Sequence, residues 1–267
     1  MPIMAPFISI IVPTRNEAKN LPAVLEGIRP YGDEIIVVDG HSSDGSREIA
    51  KSLGATVVLD NKLGKGEALR VGARAAKGDI LLFIDADQSH DPSSIPNLLK
   101  PILDGVADHV HGSRMLGGSD ELFSTLSECF RLFGSLCITM AINYRYGMRL
   151  TDTQNGFRCL KRNVFEDLNL TENITTIEQQ MVIETLRRGY VLIEIPTHEY
   201  RRRFGRSSIN VWKVGFRYVY SLVKNIILPS VKPVRKDIFE LQERYTMNWS
   251  FLKTKQECRD QPSAPRV

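Results

Sequence analysis

Two carboxylates stand one residue apart directly after an apolar run. The five apolar residues Ile80 to Ile84 predict a buried strand, and this strand leads into Asp85-Ala86-Asp87. Because unpaired charge is costly to bury, the two acids need water, a partner or a cation. Ligands bind at the carboxyl end of strands in open α/β sheets, so the pair suits Mg2+ or Mn2+. A pair of helix N-cap residues is the alternative, and the acids alone do not exclude it.

Alternating strands and helices position this acid pair. The predicted strands are Phe7 to Val12, Glu34 to Val38, Ala55 to Leu59 and Ile80 to Ile84. The predicted helices between and after them are Glu17 to Ile28, Asp44 to Leu53, Glu67 to Ala76, and a helix to about Leu103 that opens with Asp91 as N-cap and Pro92. This order predicts an α/β fold with a mostly parallel, doubly wound sheet. The second half is predicted to be more helical, with helices at Glu121 to Tyr146, Ile177 to Arg188 and Ile209 to Asn225, and a strand at Tyr190 to Ile195.

Polar segments follow all four predicted strands of the first half. They are Pro13 to Glu17, Asp39 to Ser46, Leu63 to Gly66 and the acid pair. Parallel strands end at one edge of a sheet, so these segments predict a single site there. Glu67 follows Gly66 where a Walker loop has Ser or Thr, and no G-x-G-x-x-G follows the first strand, so neither nucleotide motif is present.

Charge is distributed unevenly along the chain. Its 267 residues carry a net charge of +4, but Arg187 to Lys236 holds twelve Lys or Arg and two acids. This basic block favours a polyanionic or phosphorylated ligand over a merely solvated face, since Arg201, Arg202, Arg203 and Arg206 crowd around one glycine. The four cysteines are dispersed and indicate a reducing compartment. The uncharged stretch Leu132 to Ile142 is too short to span a bilayer and predicts an interfacial or a core helix.

Seven segments of the chain form an ordered set of motifs. They are Pro13 to Glu17, Val37 to Gly45, Gly64 to Ala68, Asp85 to Pro92, Gly112-Ser113-Arg114, Asp152 to Arg158, and the loop with Arg202, Gly205 and Ser207. In this order they resemble the family 2 glycosyltransferases of the GT-A fold, in particular the dolichol-phosphate mannose synthase group. The resemblance implies a single GT-A domain over residues 1–230. Residues 1–115 would be its nucleotide-sugar half and 116–230 its helical acceptor-side half. Residues 231–267 would be a C-terminal extension with a disordered end.

The resemblance also implies roles on the donor side. Asp85 and Asp87, with Ala86 between them, match the D-x-D motif that holds Mg2+ or Mn2+ and the donor diphosphate. The nucleotide-binding positions are Pro13, Thr14, Glu17, Asp39, Lys65 and Gly66. Asp39 could instead be a turn acid, and Lys65 could simply begin a helix.

On the acceptor side, the resemblance implies binding of phosphate by arginine. Arg114, Arg131 with Ser135, and Arg202 with Ser207 match those positions, and a guanidinium group suits phosphate through paired hydrogen bonds. Arg131 could also be a surface helix residue. Asp152 and the loop Gln154 to Arg158 match the acceptor-side motif, with Asn155 where relatives commonly have Ser.

The acceptor phosphate is an anionic nucleophile and needs no strong general base, so orientation and charge stabilisation would provide catalysis. Glu178 is a candidate base, but Thr175 to Glu178 also matches a helix capping box, which we favour.

The expected function is inverting transfer of a hexose, mannose from GDP-mannose, onto dolichyl or polyprenyl phosphate. The expected location is peripheral, at the cytoplasmic face of a membrane, through direct contact or a membrane-anchoring partner, and no nucleic acid partner is expected. One alternative is the same chemistry with UDP-glucose or another nucleotide sugar. The other is a polyanion- or lipid-binding module with a degenerate enzyme core, for which the acid pair would serve no purpose.

Overall fold

The fold is taken from a computed structural model that describes residues 5–121, 126–205, 211–234 and 237–246. The strands are β1 (Ile8–Thr14), β2 (Glu34–Asp39), β3 (Thr56–Leu59), β4 (Ile80–Phe83), β5 (His109–Ser113), β6 (Arg158–Lys161) and β7 (Leu192–Pro196). The helices are α1 (Leu21–Ile28), α2 (Ser46–Ser52), α3 (Lys65–Ala75), α4 (Ile95–Leu103), α5 (Arg114–Gly117), α6 (Leu126–Tyr146), α7 (Arg162–Asp167), α8 (Ile177–Arg187) and α9 (Val211–Ile226). Short 3-10 helices lie at Arg29–Tyr31 and Pro92–Ser94.

The strands form one seven-stranded sheet in the order β3-β2-β1-β4-β6-β5-β7. All neighbouring strands are parallel except that β6 runs antiparallel to both β4 and β5. The predicted mostly parallel sheet is therefore confirmed. The carboxyl ends of β1, β2 and β4 lie side by side, so the polar segments that follow them meet at one edge of the sheet, as predicted.

Helices cover both faces of the sheet. Ile10 and Val12 of β1 pack into one hydrophobic cluster with α1, α2 and α4, whereas Ile11 packs into a second cluster with α3 and α7. Successive side chains of a strand point to opposite faces, so a strand buried on both sides must be apolar throughout. This explains the continuous apolar runs of β1, β2 and β4 and confirms the doubly wound arrangement.

Several boundaries differ from the predicted ones, and the site explains one of them. Helix α1 begins at Leu21 rather than Glu17, because residues 17–20 form a turn in which Asn20 N–H donates to the Glu17 carbonyl. The Glu17 carboxylate accepts from the Asn20 side chain at 2.6 Å and is thereby directed toward the sheet edge. The strands β5 and β6 were not predicted.

Asp91 caps the segment after β4, as predicted. Its Oδ1 accepts the Ser93 N–H at 2.9 Å, and Pro92 begins the 3-10 turn that leads into α4. Asp85 and Asp87 lie before this cap and do not occupy it. The N-cap alternative for the acid pair is therefore wrong.

The second half of the chain is built largely on α6, α8 and α9, and α9 packs against both of the others. A further helical segment at residues 238–246 returns to the sheet, where Ile238 is buried and the Gln242 side chain bonds to β7. Within the described residues, no helix combines the length and hydropathy that crossing a membrane requires.

Candidate active site

Asp85 is paired with two cationic or potentially cationic side chains. Lys65 Nζ lies 2.7 Å from Asp85 Oδ1, and His90 Nε2 lies 3.7 Å from Asp85 Oδ2. Burial alone would raise the pKa of the Asp85 carboxyl, but Lys65 and His90 outweigh burial and hold that pKa below its usual range. Asp85 is therefore ionised at neutral pH.

Asp87 is paired with an arginine from the basic loop. Arg202 Nη2 donates to Asp87 Oδ2 at 2.6 Å, and Arg202 Nη1 reaches Glu17 Oε1 at 3.4 Å. The other Asp87 oxygen accepts the Ser89 hydroxyl at 2.6 Å. Burial raises the pKa of Glu17, with Asn20 and Arg202 acting against this rise. Arg202 thus joins the β1 and β4 segments of the sheet edge.

Lys65 connects the acid pair to α8. Lys65 is the first residue of α3, as the alternative interpretation predicted. Its ammonium group also lies 2.7 Å from Glu178 Oε1. The favoured capping box is wrong, because Glu178 turns to Lys65 and the Thr175 hydroxyl accepts from the Tyr218 hydroxyl. The helix instead has Thr176 as its N-cap, without a side-chain capping bond. Burial raises the pKa of Glu178 despite the opposing charges of Lys65 and Arg158.

Gly156 lies against this Lys65 cluster. A Cβ atom at residue 156 would stand 2.8 Å from Lys65 Nζ and 2.9 Å from Asp85 Oδ2. Both distances are closer than a carbon atom can approach without displacing its neighbour. A side chain at residue 156 would therefore displace the ends of the Lys65 and Asp85 side chains.

Two carboxylates at a sheet edge fit a hard divalent ion. Asp85 and Asp87 side chains are 27% and 12% exposed, so their oxygens are accessible, and both already face positive charge from Lys65 and Arg202. No group of three or more His, Cys, Asp or Glu side chains in the described ranges is arranged to hold a metal. Such an ion would thus need water or substrate oxygens as well, which is the usual pattern for Mg2+ bound with phosphates.

Two cavities meet at the acid pair. The β1–β4 cavity, of about 760 Å³, lies over the carboxyl ends of the parallel strands, and the α6–α9 cavity, of about 500 Å³, lies beside helices α6 and α9. Both volumes are in the range of small-molecule sites. The side chains that line both cavities are those of Lys65, Asp85, Asp87, Thr175 and Arg202. A molecule in one cavity would therefore contact a molecule in the other at this point.

The predicted donor-side residues largely line the β1–β4 cavity: Pro13, Thr14, Glu17, Lys65, Asp85, Ala86 and Asp87. Asp39 lies beneath its floor, fully buried, with Oδ2 accepting the Ser42 N–H and Oδ1 without a hydrogen-bond partner among the described residues. Gly66 lies in the first turn of α3, packed against the backbone of residues 172–174.

The predicted phosphate-binding residues share the α6–α9 cavity. Arg114, Arg131, Ser135 and Arg202 line it together. Ser207 and Arg206 lie outside the described residues. Beyond the arginines the cavity wall becomes apolar, with Phe130, Leu132, Cys137, Ile138, Val219 and Leu222. The cavity thus has a charged end, where arginines and a lysine lie among carboxylates, and an apolar end.

Arg114 is held by carboxylates. Its Nε and Nη2 donate to the two Asp152 oxygens at 2.6 and 3.0 Å, and its Nη1 reaches Glu199 at 3.4 Å. Burial would raise the pKa of Asp152, but Arg114 lowers it to about 2. Glu199 and His90 were not among the predicted site residues. Glu199 lies 85 residues from Arg114 in the chain, so no local signal pointed to it. His90 lies inside the Asp85 to Pro92 segment, where only its contact with Asp85 distinguishes it.

Helices α6 and α9 present an apolar surface to solvent. Phe133 and Met140 of α6 and Phe216 and Tyr220 of α9 are each more than 60% exposed. Ile138 and Ile142 of the same α6 stretch are buried, so the core interpretation of Leu132 to Ile142 describes one face of that helix. The other face is exposed, and its interfacial role stays a prediction. An apolar surface that joins two helices in this way is typical of an interaction site.

Comparison with known proteins agrees with the geometry. The family model of glycosyl transferase family 2 matches residues 9–168. Two Haloferax volcanii proteins are similar. Glycosyltransferase AglJ is 31% identical, and the match covers 75% of this chain and 65% of AglJ. A dolichyl-phosphate hexose transferase is 29% identical, and the match covers 81% of this chain and 92% of that protein. The chain thus spans slightly less than two thirds of AglJ, and 54% of the low-salt glycan hexosyltransferase Agl6 from the same organism.

The solved structures agree in fold. Glucosyl-3-phosphoglycerate synthase from Mycobacterium tuberculosis, crystallised with Mn2+, UDP and glucosyl-3-phosphoglycerate, superposes with a TM-score of 0.64 over 85% of this chain and 82% of its own, at 22% identity. The fold is therefore of the GT-A type. Because the family model covers more than half of the sequence and includes the acid pair, this chain belongs to glycosyl transferase family 2.

Proposed function

We propose that this glycosyltransferase moves a hexose from a nucleotide sugar to a polyprenyl phosphate, with inversion at the anomeric carbon. The meeting of the two cavities at Asp85 and Asp87 carries this proposal. One cavity is lined by strand-end polar groups and the other joins arginines to an apolar groove. The second cavity matches an acceptor with an anionic head and a hydrocarbon tail.

The donor would lie in the β1–β4 cavity with its diphosphate at the acid pair. Asp85 and Asp87 would hold Mg2+ or Mn2+, and the ion would neutralise charge on the departing nucleoside diphosphate. Lys65 and Arg202 stand at the same point and add positive charge toward the diphosphate. We propose GDP-mannose as the donor and keep UDP-glucose as the second candidate.

The acceptor phosphate would be bound by Arg114, Arg131 and Ser135. Arginine presents parallel N–H groups that match phosphate oxygens, and these groups would direct one oxygen toward the anomeric carbon. The new bond forms between this phosphate oxygen and the anomeric carbon as the bond to the donor diphosphate breaks. No proton must be removed from an ionised phosphate, so Glu178 is needed to hold Lys65 rather than to act as a base.

The apolar tail would continue along α6 and α9 into a bilayer. The exposed Phe133, Met140, Phe216 and Tyr220 would rest among the lipid headgroups at the cytoplasmic face, which brings the chain to its acceptor. The Haloferax volcanii dolichyl-phosphate hexose transferase supports a lipid phosphate acceptor for this chain. A polyanion-binding module gains nothing from carboxylates at its site, so we rank it below the enzyme.

A donor screen tests the proposal. The purified chain is given GDP-mannose, UDP-glucose and other nucleotide sugars with a short-chain polyprenyl phosphate, with Mn2+, Mg2+ or EDTA. We expect consumption of one donor and a glycosylated lipid phosphate, both lost in EDTA. Transfer only to a protein or polysaccharide would overturn the proposal that the acceptor is a lipid phosphate. Unchanged transfer in EDTA would overturn the proposal that the reaction needs a divalent metal.

Two variants of the same loop sharpen the screen. Asp87→Asn removes one metal-binding charge and should reduce transfer at least 100-fold. Asp91→Asn is the matched control, because asparagine caps a helix about as well as aspartate and residue 91 lies outside both cavities. Equal activity of the two variants would contradict the metal site.

A further inference from the structure

Arg114 takes its position from Asp152. Besides the two side-chain contacts, the Arg114 backbone N–H donates to Asp152 Oδ2 at 3.2 Å. The Arg114 side chain is only 14% exposed, so it has little freedom to find another arrangement. Whatever fixes the Asp152 carboxylate therefore also fixes the Arg114 guanidinium.

Glu194 fixes the backbone that carries Asp152. Its Oε1 accepts the Asp152 N–H at 2.7 Å, and its Oε2 accepts both the N–H and the hydroxyl of Thr151 at 2.9 Å. The Thr151 hydroxyl also lies 2.6 Å from that of Ser113, the residue before Arg114. One carboxylate thus holds two successive peptide groups of a loop that lies between α6 and β6.

The surroundings of Glu194 hold its carboxylate in place. Glu194 lies on β7, is 1% exposed, and is paired in the sheet register with His111 of β5, whose Nε2 is 3.3 Å from Glu194 Oε1. On the opposite edge the Gln242 side chain bonds to both backbone groups of Glu194. A buried carboxylate is costly unless it is hydrogen-bonded. Here the Thr151 N–H, the Thr151 hydroxyl and the Asp152 N–H donate to it, all from the loop that holds Arg114.

We propose that Glu194 is a positioning residue that sets the phosphate-binding geometry of Arg114 through Thr151 and Asp152. It lies behind the cavity wall and would touch no substrate. This inference rests on the proposed function for the identity of the phosphate that Arg114 binds. The contacts themselves do not depend on which sugar is transferred.

Glu194→Gln tests the inference. Glutamine has nearly the same shape but presents an NH2 group to one of the backbone N–H donors, so the loop must shift. We expect the KM for polyprenyl phosphate to rise about 5- to 20-fold, which corresponds to about 1–2 kcal/mol, while the KM for the nucleotide sugar stays within twofold. Glu184→Gln is the control, because Glu184 is also buried but pairs with Arg187 and Arg188 at the C-terminal end of α8. It should lower stability without changing the acceptor KM.

A second readout does not depend on the enzyme's activity. The rate at which phenylglyoxal modifies Arg114, followed by peptide mass spectrometry, reports how firmly the guanidinium is held. We expect Arg114 of Glu194→Gln to react at least threefold faster than Arg114 of the wild type or Glu184→Gln. If no nucleotide sugar is consumed by the wild type, the proposed function fails and this rate still tests the positioning role.

Two results would overturn the inference: an unchanged Arg114 modification rate in folded Glu194→Gln, or donor and acceptor KM values that rise together. If Glu194→Gln does not fold, Thr151→Val takes its place, because it removes one hydroxyl from the same contacts at nearly constant volume. For Thr151→Val we expect a smaller rise in the acceptor KM and in the Arg114 modification rate. If neither quantity changes, the inference is contradicted.

Discussion

Arg202 Nη2 and Asp87 Oδ2 are 2.6 Å apart, although 115 residues separate the two in the chain. The arginine occupies an oxygen that a divalent ion would need. The same is true of Lys65 and Asp85 at 2.7 Å. The two cations stabilise the acid pair without a metal, and each must compete with one.

Replacing Arg202 should therefore tighten metal binding even though it harms the reaction. For Arg202→Gln we expect Mn2+ to bind about 3- to 10-fold more tightly in the absence of substrates, since an ion pair of about 1 kcal/mol no longer opposes it. Calorimetric titration with Mn2+ measures this. Arg203→Gln on the same exposed loop is the control and should bind as the wild type does. Weaker Mn2+ binding by Arg202→Gln would show that the two cations do not compete.

Gly156→Ala should disturb the acid pair from the opposite side. The added carbon would stand within 3 Å of both Lys65 Nζ and Asp85 Oδ2, and a displacement of about 1 Å can reduce a rate about 100-fold. We expect transfer to fall 10- to 100-fold in steady-state assays, with a far-UV circular dichroism spectrum like that of the wild type. Activity within twofold of the wild type would mean that the loop shifts without disturbing Lys65.

Charge on the apolar face of α6 and α9 should separate membrane binding from chemistry. Each large apolar side chain contributes about 1.5–3 kcal/mol when it enters an apolar phase, so Phe133→Glu and Phe216→Glu should each weaken vesicle binding at least 10-fold. Activity on a short, water-soluble acceptor should remain. Leu103→Glu on α4 is the matched control, since Leu103 is half-exposed on a different element. Vesicle flotation measures the binding, and equal loss in all three variants would contradict the assignment of this face.

The Arg114–Asp152 pair predicts a pH dependence of stability. Arg114 lowers the pKa of Asp152 to about 2 from a usual 3.8, so the ionised carboxylate stabilises the folded state above pH 4. That contribution is lost as the pH falls from about 4 toward 2. In urea denaturation, the difference in free energy of unfolding between the wild type and Asp152→Asn should be constant from pH 7 to 5 and shrink below pH 4. A difference that grows on acidification would contradict the pair.

The parts of the fold that sequence could predict were those with unbroken apolar patterns. Strands β1, β2 and β4 are buried on both faces, so their apolar composition makes them recognisable in the sequence. Strands β5 and β6 do not, because His109, His111 and Arg158 are fully buried polar residues. Their partners, among them Thr185 for His109 and Glu194 for His111, come from distant elements that no local pattern shows.

The site followed the same rule. The acid pair was readable because it ends an apolar strand, and the motif arginines were readable from a family pattern. Glu178 was misassigned because its local context fits a capping box, whereas its real partner, Lys65, lies 113 residues earlier. Glu194 carries no motif at all and shows its role only when β7 is placed beside the loop of Asp152.

The bond between Gln242 and β7 also bears on solubility. An edge strand exposes backbone groups that can pair with a strand of another molecule. Here the glutamine amide is hydrogen-bonded to both the N–H and the carbonyl of Glu194, at the centre of the edge. These two backbone groups are therefore not available to a strand of another molecule. A chain that ended before residue 242 would bare this edge and acquire a route to aggregation that has nothing to do with catalysis.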